Sequence, residues 1–338
     1  MLSFTLIVPT KNRTSYIYNL LSYYSKTNVK FNILILDSST GSFRKKNKEI
    51  TKTFLNLRIK HKFIVGKPHE VVKKSKDLIK TKYCCLCGDD DYLFPKNIKK
   101  LINFLEKNNS FVGINGSCYL VRNYNETLSF SKYNLVNLTQ EKAYIRCKNH
   151  ILKYYNPHFS ICRTSAFSDA IKLVNKSKYP HDIYNDELVL NLSLVCFGKF
   201  KSTSMTYMFR KIGHSRTNLN KNKNKNLLDI SRKNMTLELK KIIQKIDNKT
   251  YPNFEKEFST ILEKKFPIIG FRFSSIKHKL LNWTFEQSKI NYYFRKYLNF
   301  LNYDKNNKTA FFLDQNKIKE NKYISKEIKK FTNLYIEK

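Results

Sequence analysis

Three consecutive aspartates, Asp89, Asp90 and Asp91, follow the apolar run Tyr83–Cys87 and a single glycine in KYCCLCGDDDYLFP. Crowded carboxylates repel, and two unit charges about 4 Å apart cost roughly 4 kcal/mol at an effective dielectric near 20. Held at the end of a buried strand, they favour a cation between them. Hard oxygen ligands suit Mg²⁺ or Mn²⁺, which keep one or two protein carboxylates and complete their shell with substrate phosphates. The plainer use of the same residues is a solvated acidic turn that caps a helix near Pro95. Other acids stand in suggestive places: Asp37 closes NILILD, and Asp186-Glu187 precedes LVLNLSLVCFGK. Cys84, Cys85 and Cys87 raise the question of zinc. A strand sends Cys85 and Cys87 to the face opposite Cys84, and no second pair with ligand spacing follows, so these thiols read as core.

The surrounding composition limits what such acids can serve. Of 338 residues, 64 are Lys or Arg and 26 are Asp or Glu, a formal net charge of +38. That excess suits an anionic substrate, an anionic membrane surface or nucleic acid. Lysine dominates it and is dispersed among Asn and Ile, which speaks for a compositional bias and against a nucleic-acid-binding face. The seven cysteines are odd in number and sit in apolar stretches, as free thiols of a reducing compartment do. The N-terminus MLSFTLIVPTKNR lacks a basic region and a long apolar core, and no run approaches the roughly 20 apolar residues of a membrane span. The expectation is a cytoplasmic protein, soluble or peripherally attached.

Two periodicities alternate through the first 120 residues. Apolar runs of strand length occur at Phe4–Val8, Phe31–Leu36, Lys62–Val65, Tyr83–Cys87 and Phe111–Leu120. Between them, Ile17, Leu20, Leu21 and Tyr24 make one helical stripe, and Ile98, Leu101, Ile102 and Leu105 make another. Asn12 or Thr14 suits the start of the first helix and Pro95 the first turn of the second. Continuous apolar strands alternating with helices predict an α/β domain with a mostly parallel sheet covered on both faces. Further on, a helix is expected near 139–153, a strand at His158–Arg163, a helix at Thr164–Val174 and a strand at Lys199–Arg210. Leu188–Phe197 alternates like a strand yet also lines one helical face. Asn185, Asp186 and Glu187 in front of it resemble a helix start, so helix is the reading. The Asn/Lys run 218–226 reads as a linker. Residues 1–217 are therefore expected as one domain, its halves 1–120 and 121–217, followed by a basic, helical region over 218–338 that includes Leu237–Ile246.

LSFTLIVPTKNR, NILILDSS and KYCCLCGDDDYLFP, in that order and spacing, resemble the N-terminal half of a family 2-type glycosyltransferase of the GT-A fold. The resemblance runs over about residues 3–215. It implies a Rossmann-like sheet and a nucleotide-sugar donor, commonly a UDP-sugar. By that likeness Pro9, Thr10 and Arg13 line the nucleotide pocket, Asp37 contacts base or ribose, and the aspartates hold the cation. Asp91 is then the direct metal ligand, with Asp89 reaching the metal site nearer the ribose or a bridging water, and Asp90 on the donor side. The segment VVKKSKDLIKTKY departs from the usual Arg-Asn region, leaving Lys73, Lys74 or Lys76 to serve there. Asp186-Glu187 matches the acidic pair that supplies the base for an inverting transfer, in reversed order, so either is a candidate. Gly198 falls at the family's glycine. TYMFRKIGHSR resembles the closing strand and basic loop, with His214 as a third metal ligand and Arg210 or Arg216 facing the diphosphate. His158 and His181-Asp182 lie in the expected acceptor half with no assigned task.

The resemblance thus implies a metal-dependent, inverting glycosyltransferase that extends a glycan or lipid-linked acceptor in bacterial surface polysaccharide biosynthesis. A silent scaffold of the same fold is the rival, and the intact acids argue against it. In the last third, IKHKLLNWTFEQSKINYYFRKYLNFL at 276–301 mixes basic residues with Trp283, Tyr292, Tyr293, Phe294 and Phe300. Such a helix either lies on the inner face of an anionic membrane or packs in a helical subdomain or homodimer contact.

Overall fold

A computed structural model describes residues 2–124, 127–133, 135–176, 183–211, 225–265 and 310–314. The chain opens with β1 (Phe4–Thr10), α1 (Thr14–Lys26), β2 (Asn32–Asp37), α2 (Gly41–Thr53), β3 (Arg58–Phe63) and α3 (Pro68–Lys73). It continues through β4 (Tyr83–Leu86), β5 (Asp91–Leu93), α4 (Pro95–Lys107), β6 (Phe111–Tyr124) and β7 (Thr127–Tyr133). Then come α5 (Ala143–Leu152), β8 (Ile161–Arg163), α6 (Thr164–Lys176), α7 (Ile183–Phe197) and β9 (Lys199–Lys211). Two helices, α8 (Lys225–Asp247) and α9 (Phe254–Lys265), and the strand β10 (Ala310–Asp314) complete the described elements.

Ten strands form one sheet, in the order β10-β7-β6-β8-β4-β1-β2-β3, with β9 joining β6 to β5. Strands β3, β2, β1 and β4 are parallel, as the unbroken apolar character of β1, β2 and β4 predicts. Phe4, Leu6, Ile7 and Val8 of β1 are completely buried. The sheet turns antiparallel at β8, which pairs with both β4 and β6, while β9 runs parallel to β6. Parallel order in the first half brings the carboxyl ends of β1, β2 and β4 to one edge, where α/β sheets bind ligands. Thr10 and Asp37 lie directly opposite each other there.

The two expected stripes are buried in full: Ile17, Leu20, Leu21 and Tyr24 on α1, and Ile98, Leu101, Ile102 and Leu105 on α4. Helix α7 has no stripe because nearly every side from Val189 to Cys196 is covered, and its acidic start settles the choice of helix. Some boundaries and elements differ from expectation. Strand β3 lies earlier than 62–65, since an edge strand with half-buried and exposed residues in alternation carries no apolar run. Residues 157–159 form a turn of 3₁₀ helix, so only 161–163 of the expected strand pair. Helix α2, which the pattern does not announce, buries only Asn47.

Where β6 meets β9 the backbones approach closely. A Cβ added at Gly116 would lie 2.1 Å from the Met205 carbonyl oxygen, so no side chain fits. Beyond the expected boundary at 218, Met235, Leu239, Ile243, Phe254, Phe258 and Leu262 join the same core as the sheet. The end of α8 also caps α5: Asp247 accepts hydrogen bonds from the Ala143 and Tyr144 amides at 2.7 and 3.0 Å. No helix among the described residues is long and apolar enough to cross a membrane.

Candidate active site

The loop after β1 is fixed before any ligand enters. Asn12 adopts φ 54°, a left-handed conformation that asparagine tolerates. Its side chain accepts the Thr40 amide at 2.9 Å, and its own amide donates to Ser39 Oγ at 2.8 Å. That turn aims Arg13 at the aspartates. Its two terminal nitrogens meet Asp89 Oδ1 at 2.6 Å and Asp90 Oδ2 at 2.7 Å, and its guanidinium lies 3.8 Å from the Tyr16 ring centre. Thr10 donates to the other oxygen of Asp89 at 2.7 Å. Burial opposes the charge on Arg13, but Asp89 and Asp90 overcome it and hold its pKa above the ordinary value.

Asp91 begins β5 and faces Arg210 across the β5–β9 pair. Its carboxylate takes Arg210 Nε at 3.3 Å and the Lys211 amide at 3.2 Å. Burial pushes Asp89 up to about 7 against the pull of Arg13, and Asp91 up to about 6 against that of Arg210. A Cβ at Gly88 would stand 3.0 Å from Asp90 Oδ1 and 3.2 Å from Asp91 Oδ2, which shows how tightly these carboxylates gather over the glycine.

Asp37 is wholly buried. It accepts the Ser39 amide at 2.8 Å, Asn47 Nδ2 at 3.1 Å and His61 Nε2 at 2.9 Å. Burial raises its pKa, but the hydrogen bonds from His61, Ser39 and Asn47 outweigh that and lower it. Through Ser39, Asp37 also holds the loop beside Asn12 in place.

The acidic pair opens α7. Asp186 Oδ2 pairs with Lys73 Nζ at 3.1 Å and lies 4.0 Å from His69 Nε2, both on α3. Glu187 receives the Tyr154 hydroxyl at 3.4 Å. Its pKa is raised by burial, and Arg210, Tyr154 and Asn156 counteract that only in part. Arg210 therefore stands electrostatically between Asp91 and Glu187, its guanidinium 4.4 Å from the Phe159 ring centre. Lys76 sits apart, 4.0 Å from Asp77, so Lys73 is the lysine of that segment that reaches an acid of the site. Pro9 lies in β1 opposite Leu36. His214, Arg216, His181, Asp182 and the aromatic segment at 276–301 lie outside the described residues.

Among the described residues no three His, Cys, Asp or Glu side chains form a metal-binding group. Two buried, oxygen-only carboxylates at Asp89 and Asp91 still fit Mg²⁺ or Mn²⁺, whose remaining positions are filled by water and phosphate. All seven cysteines are buried thiols, and burial pushes Cys84 up to about 12. The sequence signalled Thr10, Arg13 and the acids through their spacing. Tyr16, Tyr154, Phe159 and Asn191 carry no local signal, because only the tertiary fold brings them to the acids.

The mixed α/β sheet, with acids at the carboxyl ends of its parallel half, has the GT-A fold. Residues 5–170, just under half of the chain, match the model of glycosyl transferase family 2. No curated protein matches the sequence. Among solved structures, S. aureus TarS 1–349 is similar at 16% identity and TM-score 0.50, over 79% of this chain and 75% of that one. At that identity the likeness concerns the fold. The longer S. aureus TarS structure matches 86% of this chain at 16% identity and TM-score 0.45, and this chain spans 45% of its length. Mannosyltransferase PcManGT from Pyrobaculum calidifontis, in complex with GDP-Man and Mn²⁺, is 10% identical at TM-score 0.44, over 90% of this chain and 81% of that one.

Proposed function

We propose that the protein transfers a sugar, with inversion, from a UDP-sugar to a glycan or lipid-linked acceptor in bacterial surface polysaccharide assembly, using Mn²⁺ or Mg²⁺. The observation that carries this reading is the single guanidinium of Arg210, which pairs with Asp91 and acts electrostatically on Glu187. Donor-side acids and an acidic helix start thereby share one site.

In this reading Pro9, Thr10 and Arg13 shape the nucleotide pocket, and Asp37 supports it from behind through Ser39 and Asn47. Asp91, aided by Asp89, would hold the cation, whose charge offsets that of the departing diphosphate. Arg210 faces the same anion. Glu187 takes the proton of the acceptor hydroxyl, whose oxygen attacks the anomeric carbon from the face opposite the diphosphate. The carbon–oxygen bond to phosphate breaks, and its electron pair leaves with the nucleotide. Raised basicity suits Glu187 to this task, whereas Asp186 is held by Lys73. A lipid-linked acceptor would place the protein in the cytoplasm at the inner face of the membrane.

The test begins with a thermal-shift screen of nucleotide sugars in Mn²⁺, followed by release of free nucleotide from the donor that binds. Glu187→Gln is expected to lower turnover by about 10²-fold or more while the donor-induced shift persists. Full turnover in both Glu187→Gln and Asp186→Asn would place the base elsewhere.

A further inference from the structure

Behind Glu187 lies a chain of polar side chains that the transfer reaction itself does not require. His158 is buried, and both its backbone amide (3.1 Å) and its Nδ1 (2.8 Å) meet Asn191 Oδ1. Asn191 Nδ2 meets the Tyr154 hydroxyl at 3.1 Å, and that hydroxyl meets Glu187 Oε1 at 3.4 Å. Each bond in this chain has a forced direction. A backbone amide can only donate, so the Asn191 atom beside it is the carbonyl oxygen. The same oxygen can only accept, which puts the imidazole proton on His158 Nδ1. The other end of the asparagine must then donate to the tyrosine oxygen. The tyrosine's own hydrogen is left to point at the glutamate, which as a carboxylate only accepts.

From this geometry we infer that Tyr154 is the positioning residue of the base: it holds Glu187 by one oxygen, and Asn191 and His158 fix the direction in which it donates. The inference rests on Glu187 being the base and deepens that reading. Asn191 lies one helical turn after Glu187 on α7, so the carboxylate and the group that directs its partner move as one body. His158 precedes Phe159, whose ring lies under Arg210, so the same turn supports the cation. The other groups facing the acidic pair are Arg210 from β9, Asn156 beside Tyr154, and Lys73 and His69 from α3, which engage Asp186.

A hydrogen bond to the ionised form favours it, and its loss should raise the titration midpoint of Glu187 by about half a unit to one unit. Glutamate labelled with ¹³C at the δ-carbon makes that midpoint readable by NMR, and the signal missing from Glu187→Gln assigns it. Tyr154→Phe should raise the midpoint, and Asn191→Ala should move it in the same direction with Tyr154 intact. Tyr155 offers the control, since its hydroxyl is buried without a hydrogen-bond partner among the described residues. Tyr155→Phe removes the same atom next door and should leave the midpoint unchanged. A midpoint that is equal in wild type, Tyr154→Phe and Asn191→Ala overturns the inference, as does an equal rise in Tyr155→Phe. Full turnover in Glu187→Gln would remove the base reading without altering these midpoints, so the two can fail separately.

Discussion

His150 lies on α5 with no solvent exposure, beside the rings of Tyr154 and Tyr155, and neither of its nitrogens has a hydrogen-bond partner among the described residues. Burial pushes its pKa down from 6.5 to about 3. In the unfolded chain it takes a proton near pH 6.5, and in the folded protein only near pH 3. Between those values the unfolded state binds more protons, so the contribution of this residue to stability falls as pH drops from 6.5 toward 3. At pH 5 the gap from 6.5 is one and a half units, and at about 1.4 kcal/mol per unit the cost is about 2 kcal/mol. At pH 7.5 it is near zero.

His150→Leu, close in volume, removes that cost. Chemical denaturation of both proteins at pH 7.5 and pH 5 gives the stability difference at each pH. Comparing differences cancels other titrations, such as those of Asp89 and Asp91, whose raised values work in the opposite direction with pH. The variant should gain about 2 kcal/mol more, relative to wild type, at pH 5 than at pH 7.5. A difference independent of pH would refute a neutral, unpartnered imidazole. His158, also pushed down to about 3, should behave alike, although its bond to Asn191 adds a loss on replacement.

Other perturbations have equally definite outcomes. Gly116→Ala places a methyl group against the Met205 carbonyl and should cost about 1–3 kcal/mol or prevent folding, read by thermal melting. Asp247→Ala removes the acceptor for two amides at the start of α5 and should cost about 1–2 kcal/mol. Arg13→Ala leaves Asp89 and Asp90 without their shared partner and should weaken nucleotide binding at least tenfold in calorimetry.

The parallel half of the fold is legible in sequence because burial on both faces demands uninterrupted apolar strands. β1, β2 and β4 need no partner to be recognised. Helices α1 and α4 are legible because each has one buried face. β3 and α2 escape that reading for the opposite reason: Arg58, Lys60 and Lys62 point outward, and α2 buries only an asparagine. In the site, Thr10, Arg13 and Asp89–Asp91 announce themselves by type and spacing at strand ends. Asp37 does too, yet its environment of amide, asparagine and histidine donors emerges only when residues 39, 47 and 61 converge. The pairing of Asp186 with Lys73 and the chain from His158 to Glu187 depend on how α3, α5 and α7 pack, which no local pattern encodes.

The central claim is that the acids at the ends of β4 and β5 bind a nucleotide together with a divalent cation. Isothermal calorimetry of UDP binding, in Mn²⁺ and then in excess chelator, tests it most directly, with Asp91→Asn as the paired variant. The account predicts affinity at least tenfold higher with Mn²⁺ in the wild type and no such gain in Asp91→Asn. Equal affinity with and without the cation in the wild type would contradict it.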